Sequence, residues 1–290
     1  MGVASDGCAC EATSRATGAG TYAKIAAPEF GGKMATWLTV EEGIAAKGLR
    51  IAPVRSGVPS PWSELCRALF HVKKIPFALI SAREPKSGLA AFKAATGHDV
   101  LPVVLWEDER PRASWIEQLA LAERLAPEPA LLPNRPAERA HIIGFLAELC
   151  IEGGFGWCRR LMMIERLLHD AHYGDRERAV GHYLAAKYGY HGASIAAARR
   201  RCEDVVAAFV QLSHVDAPYL AGPTLTALDL GWAAFAALIK PLHESGFAMH
   251  PLWRDLYTWS PTETAPEAVE TLLARRDRIY DEWLELPDVL

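Results

Sequence analysis

The spacing of apolar residues changes character near residue 49. Residues 1–33 are rich in Gly, Ala, Ser and Thr and carry few large apolar side chains. Such a stretch can bury little, so residues 1–47 are expected to form a flexible extension, with Met34 an alternative start. From Leu49 short apolar runs alternate with helical spacing. Residues 49–54 read as a strand that Pro53 restricts to an edge or an end. Ser60-Pro61 opens a helix, because serine caps well and proline has no N–H to lose at the first helical position. Leu65, Leu69 and Val72 follow at helical spacing, and Ile75-Pro76 ends the run. Residues 77–80 read as a second strand, 89–95 as a looser helix closed by Gly97, and 103–106 as a third strand. A polar turn at 107–111 leads to an expected fourth strand at 112–116, then to a helix with Gln118, Leu121 and Leu125 on one face. The expected order over residues 48–126 is β-α-β-α-β-β-α.

Prolines at 127, 129, 133 and 136 bracket an expected linker, residues 127–136. Everything from 137 to 290 reads as helical. Ile142, Ile143, Leu146 and Leu149 form one stripe, and Ile195, Ala198, Cys202, Val205, Phe209 and Leu212 a second. A third runs through Val269, Leu272, Arg276, Ile279 and Trp283. Trp232 to Ile239 is apolar all round, which predicts a buried central helix.

Composition narrows the class. Half of the 290 residues are hydrophobic and 23% are charged, the balance of a globular chain. A net charge of −4 argues against a nucleic-acid-binding face. The longest strongly apolar run, residues 231–239, is too short to span a bilayer, so no membrane partner is expected. The six cysteines lack the paired spacing of a zinc site or a small disulfide framework. No secretory apolar core precedes residue 16, and a reducing, cytoplasmic setting is expected. His169 and His172 have no third ligand nearby in sequence, so no metal is expected.

Four local motifs resemble those of soluble glutathione transferases in the same order and at similar spacing. Ser60-Pro-Trp-Ser-Glu-Leu-Cys-Arg67, running on to Ile75-Pro-Phe77, resembles the active-site helix of the serine-type members. Leu101-Pro102-Val-Val resembles the segment with the family's cis-proline. Glu117-Gln118-Leu-Ala-Leu-Ala resembles its Glu-Ser helix start, with Gln118 where serine is usual. Residues 219–229 resemble the capping box ahead of its buried helix, with Thr226 and Asp229 assigned to folding. The matches span roughly residues 49–240.

The resemblance implies a thioredoxin-like domain followed by an all-helical domain, glutathione as co-substrate, and a homodimer. It implies that Ser60 donates to the glutathione thiolate, with Ser63 and Ser56 as alternatives. Leu101, beside a cis Pro102, would pair with the cysteinyl backbone. Glu117 would take the γ-glutamyl ammonium, and Gln118 together with the backbone the γ-glutamyl carboxylate. Lys93 and His98 are weaker candidates for the glycine end. A hydrophobic electrophile would sit between the domains against Trp62, Phe155, Trp157 and Met162. The alternatives are glutathione-dependent thiol exchange or reduction, for which cysteine would be expected in place of Ser60, and a non-catalytic interaction module.

Overall fold

Four short strands make one sheet: β1 (Trp37–Leu38), β2 (Leu49–Ala52), β3 (Phe77–Ile80) and β4 (Val103–Trp106), in the order β1-β3-β2-β4. β2 runs parallel to β3 and antiparallel to β4, while β1 adds parallel to β3. All four residues of β2 are buried, which explains why Leu-Arg-Ile-Ala shows no polar alternation. Pro53 lies just beyond the end of this central strand, where its missing N–H costs no ladder bond. The structure is a computed structural model, and it describes residues 37–84, 88–213, 217–244 and 246–284.

Helices cover the sheet: α1 (Val40–Ala45), α2 (Pro61–Val72), α3 (Gly88–Thr96) and α4 (Trp115–Leu125). Two sequence expectations need correction. The extension expected over residues 1–47 is folded from Trp37, where β1 and α1 extend the sheet at the β3 edge; residues 1–36 lie outside the described residues. Elements of two and six residues are too short to show periodicity, but a capping box was visible. Glu42 N–H donates to Thr39 Oγ1 (3.2 Å) and Thr39 N–H to Glu42 Oε2 (2.8 Å). Gly43 lets α1 lie on β3, because a Cβ there would stand 2.5 Å from Ile80 Cδ1. The buried Arg50 guanidinium donates to the carbonyls of Gly43 (3.2 Å), Gly48 (2.5 Å) and Glu107 (3.2 Å), tying α1 and the end of β4 to the central strand.

The strand expected at 112–116 is a single bridge, Val104 to Arg112, with both N–H···O distances 2.9 Å. Pro111 offers no donor for a longer ladder, and Ser114 already stands at the N-cap of α4.

Beyond α4 the chain is helical: α5 (Pro136–Cys150), α6 (Phe155–His169), α7 (Asp175–Tyr188), α8 (Ile195–Leu212), α9 (Ala227–Phe235), α10 (Pro251–Tyr257) and α11 (Pro266–Trp283). Every residue of α9 is buried; the run expected as the buried helix, 232–239, is its C-terminal half continued by a 3-10 turn at Ala236–Leu238. Trp232 Nε1 donates to Leu272 O at 2.8 Å, and its ring stacks on Phe209 at 5.0 Å. A Cβ at Gly231 would stand 2.3 Å from Leu146 Cδ1, so any side chain there would displace Leu146. Thr226 and Asp229 cap α9, and Asp229 also accepts from Leu220 N–H at 2.8 Å.

The connection between α4 and α5 does not divide the packing. The described residues belong to one compact unit, and the larger of two apolar clusters runs through both halves, the smaller (Ile80, Phe92, Val103 and neighbours) lying within the sheet unit. Trp62 of α2 meets Phe235 of α9 edge-on at 5.1 Å, a geometry that stabilises by about 0.5–1.5 kcal/mol beyond area burial. Lys73, with its ammonium buried, holds the connection through Ala126 O (2.6 Å), Pro129 O (2.8 Å) and Glu123 (2.7 Å). No described helix is long and apolar enough to cross a membrane.

Candidate functional site

The pairing of Ala52 with Val103 puts the chain leaving β2 and the chain entering β4 at one end of the sheet. The Leu101–Pro102 peptide there is cis. On the β2 side, residues 53–60 run to the N-terminus of α2, where Ser60 is the N-cap with extended backbone (φ −111°, ψ 96°). Its hydroxyl makes no cap bond to its own helix. It donates instead to Ser63 Oγ at 3.2 Å, and Ser63 Oγ also accepts the Val54 N–H at 3.0 Å. Ser63 is fully buried and so acts as the brace that folds the loop onto the first turn of α2. Ser56 is exposed, and its Oγ lies 3.5 Å from Val58 O, too far for a firm bond. Ser60 is therefore the hydroxyl at the helix mouth, where first-turn N–H groups and the dipole favour an anion.

The back of this loop is held by residues that no local sequence signal exposes. Pro59 O accepts from Tyr257 Oη at 2.9 Å and from Arg160 Nη2 at 3.2 Å, while Arg160 Nη1 donates to Tyr257 Oη at 2.8 Å. These partners lie 101 and 198 residues away along the chain. Arg160 keeps a pKa above its ordinary value: its burial opposes the charge, but the Tyr257 and Tyr188 hydroxyls beside it outweigh that.

On the β4 side, α4 begins at the N-cap Ser114, three residues before Glu117. Gln118 is almost wholly buried (1% exposed), and its Nε2 donates to Pro102 O and to Arg112 O, both at 3.3 Å. Its backbone N–H donates to Ser114 O at 3.0 Å. Gln118 thus braces the carbonyl of the cis-proline, and its donors do not face solvent as the expected carboxylate contact would require. The unpaired first-turn N–H groups of α4 lie at 115–117 instead, beside Ser114. Ser114-x-x-Glu117 is the pattern that could have located this start from sequence. Glu117 stays partly open; it accepts from Ser114 Oγ (2.8 Å) and pairs with Arg110 (2.7 Å). Those bonds, Arg110 first, hold its carboxyl below the usual pKa.

The four acceptor-site candidates separate. Trp62 and Trp157 are half-buried around Tyr188, with ring centroids 6.5 and 4.8 Å from it. Trp62 Nε1 also donates to Cys150 O at 2.9 Å. Phe155 (0% exposed) and Met162 (5%) lie in the core and present no open wall, because α6 is packed chiefly between α7 and α8. Lys93 is exposed and pairs with Asp99 at 2.6 Å. Cys66 is fully buried, and burial pushes its thiol far above the range in which a thiolate forms. No group of His, Cys, Asp and Glu suited to a metal occurs among the described residues.

No protein-family model matches the sequence, and neither does any curated protein. Solved structures do share its architecture. A glutathione S-transferase of Methylobacterium radiotolerans, in complex with glutathione sulfonate, superposes with a TM-score of 0.54 at 17% identity, over 83% of this chain and 95% of that one. A glutathione S-transferase domain-containing protein of Marinobacter aquaeolei gives 0.53 at 16% identity, over 83% and 100%. A Tau class glutathione S-transferase of mango, Mangifera indica, gives 0.51 at 17% identity, over 84% and 95%. The chain has the fold of the soluble glutathione transferases, a thioredoxin-like sheet unit followed by an all-helical one.

Proposed function

We propose that this chain binds glutathione where Ser60, the Leu101–Pro102 peptide and the start of α4 meet, and activates its thiol for attack on an electrophile. The carrying observation is the hydroxyl of Ser60, at the N-terminus of α2, which caps no backbone N–H of that helix and bonds only to Ser63 Oγ, at 3.2 Å. A free thiol with a pKa near ~8.5 is only a few per cent ionised at neutral pH. A hydrogen bond to a charged group contributes roughly 1.5–3 kcal/mol, and one pKa unit corresponds to about 1.36 kcal/mol. One such donor therefore lowers the thiol pKa by ~1–2 units, and the helix dipole adds to it.

The cis peptide supports the same reading, since Leu101 can offer its backbone N–H and C=O to an extended ligand. The first turn of α4 suits the γ-glutamyl end, with N–H groups for its carboxylate and Glu117, kept ionised, for its ammonium. The Methylobacterium protein of the same fold holds glutathione sulfonate. The acceptor would lie against the half-buried Trp62 and Trp157. A cytoplasmic homodimer completes the reading.

The test is Ser60→Ala, with conjugation of chlorodinitrobenzene followed against pH. Ser63 retains its bond from Val54, so the loop is expected to keep its shape. The apparent thiol pKa should rise by about 1–2 units, with rate lost at neutral pH. An unchanged pH profile would remove Ser60 from this role. Thiol exchange without conjugation would favour the second chemistry, although the only cysteine of α2, Cys66, is sealed in the core.

A further inference from the structure

Pro59 O accepts two hydrogen bonds from the helical half of the chain, from Tyr257 Oη at 2.9 Å and from Arg160 Nη2 at 3.2 Å. The two donors also hold each other. Arg160 Nη1 donates to Tyr257 Oη at 2.8 Å, and the guanidinium lies 4.9 Å from the Tyr257 ring. The neighbouring Arg159 donates through Nη2 to Tyr257 O at 3.3 Å, so this buried tyrosine is fixed at its backbone and at its hydroxyl. Arg160 is buried as well, and its partners among the described residues are Pro59 O, the Tyr257 and Tyr188 hydroxyls and Met163 Sδ. None of these is an anion, so its positive charge acts on the Pro59 carbonyl unneutralised.

The carbonyl that this pair holds belongs to the same peptide group as the Ser60 N–H. That peptide is trans, since the cis bonds among the described residues are Leu101–Pro102 and Glu128–Pro129. A trans peptide is planar, with its C=O and N–H pointing in opposite directions. Fixing Pro59 O toward Arg160 and Tyr257 therefore fixes the Ser60 N–H on the face turned away from them. That N–H has no acceptor among the described residues, whereas Ser60 O accepts from the Glu64 N–H at 2.9 Å as the first helical bond. An amide whose carbonyl accepts a charge-assisted bond is polarised along its length, which makes its N–H a stronger donor.

We propose that Arg160 and Tyr257 are positioning residues for thiol activation: through Pro59 O they aim and polarise the Ser60 N–H, which gives the glutathione sulfur a second donor beside the Ser60 hydroxyl. The inference rests on the glutathione reading above and adds to it a control exerted by the helical half of the chain. Neither side chain needs to touch the ligand. Their effect falls on the thiolate, because a polarised N–H gains more from a charged acceptor than from a neutral one. The γ-glutamyl end, at the start of α4, is served by other groups and is left unchanged.

The test follows ionisation of the bound glutathione thiol by ultraviolet absorbance across pH, in the full chain. Tyr257→Phe removes one bond to Pro59 O but leaves that from Arg160 Nη2, so the loop keeps an anchor. The bound thiol should then titrate about half a pH unit higher. The same shift is expected in a Ser60→Ala background, because that variant loses the hydroxyl and keeps the backbone N–H. Arg160→Met, the second variant, also removes the charge, and its shift should be larger, about one pH unit. S-methylglutathione has no ionisable thiol, and its calorimetric affinity should stay within about twofold in Tyr257→Phe. Thermal melts verify the fold of each variant. An unmoved thiol in either folded variant overturns the proposal. A shift that vanishes in the Ser60→Ala background also overturns it, since the pair would then act through the hydroxyl. Equal weakening of glutathione and S-methylglutathione overturns it too, by reducing the pair to a brace for the loop. If the parent chain binds neither compound, the glutathione reading falls and takes this inference with it.

Discussion

Replacing Gln118 by Met removes two hydrogen bonds while keeping side-chain length and most of the packing. Gln118 is 1% exposed, and its amide holds the carbonyls of Pro102 and Arg112 at 3.3 Å each. Those distances are at the long end for N–H···O, so each bond falls at the low end of the usual net contribution. About 0.5–1 kcal/mol per bond gives ~1–2 kcal/mol in all. Urea unfolding followed by circular dichroism should show that loss at an unchanged slope. Glutathione affinity should fall only modestly, because the cis-proline carbonyl loses a brace and no ligand contact is removed. The opposite result would refute the reasoning. Full stability together with a tenfold or greater loss of glutathione affinity would mean that Gln118 touches the ligand directly.

Two further outcomes follow from buried carboxylates. Asp229, 2% exposed, accepts from Leu220 N–H, Thr226 N–H and Thr226 Oγ1, each at 2.8 Å, so Asp229→Ala should cost about 3 kcal/mol or more in urea unfolding. A loss below ~1 kcal/mol would contradict the capping role. Glu64 is buried in the first turn of α2, and burial raises its carboxyl above the usual 4.5 despite the pull of Arg67. The folded chain then holds this proton more tightly than the unfolded chain, so the contribution is complete at low pH and is lost as pH rises through the window above 4.5. Glu64→Gln should therefore gain stability relative to the parent between pH 4 and pH 7. A relative loss over that range would show that the ion pair with Arg67 dominates.

What could be read from the sequence follows from the reach of each signal. Ser60-Pro61, Leu101-Pro102 and the run 232–239 carry local backbone or burial consequences, and each stands in the structure as the α2 start, a cis peptide and a buried helix. The short β1 and α1 lack enough residues to display a period, although Thr39 and Glu42 marked the helix start. The expected start of α4 at Glu117-Gln118 lies two residues beyond the first helical residue, Trp115, because the family motif matches there while the cap is Ser114. Phe155 and Met162 are apolar residues on the expected helix, but which face of α6 is inward depends on α7 and α8, later in the chain. Arg160 and Tyr257 meet Pro59 only through tertiary packing, so nothing around residue 59 announces them.

The most direct test of the central claim is a calorimetric titration of reduced glutathione into the full chain. The account predicts saturable, enthalpically visible binding with a Kd below about 1 mM. The absence of binding at millimolar glutathione would contradict it and leave the transferase fold serving another purpose.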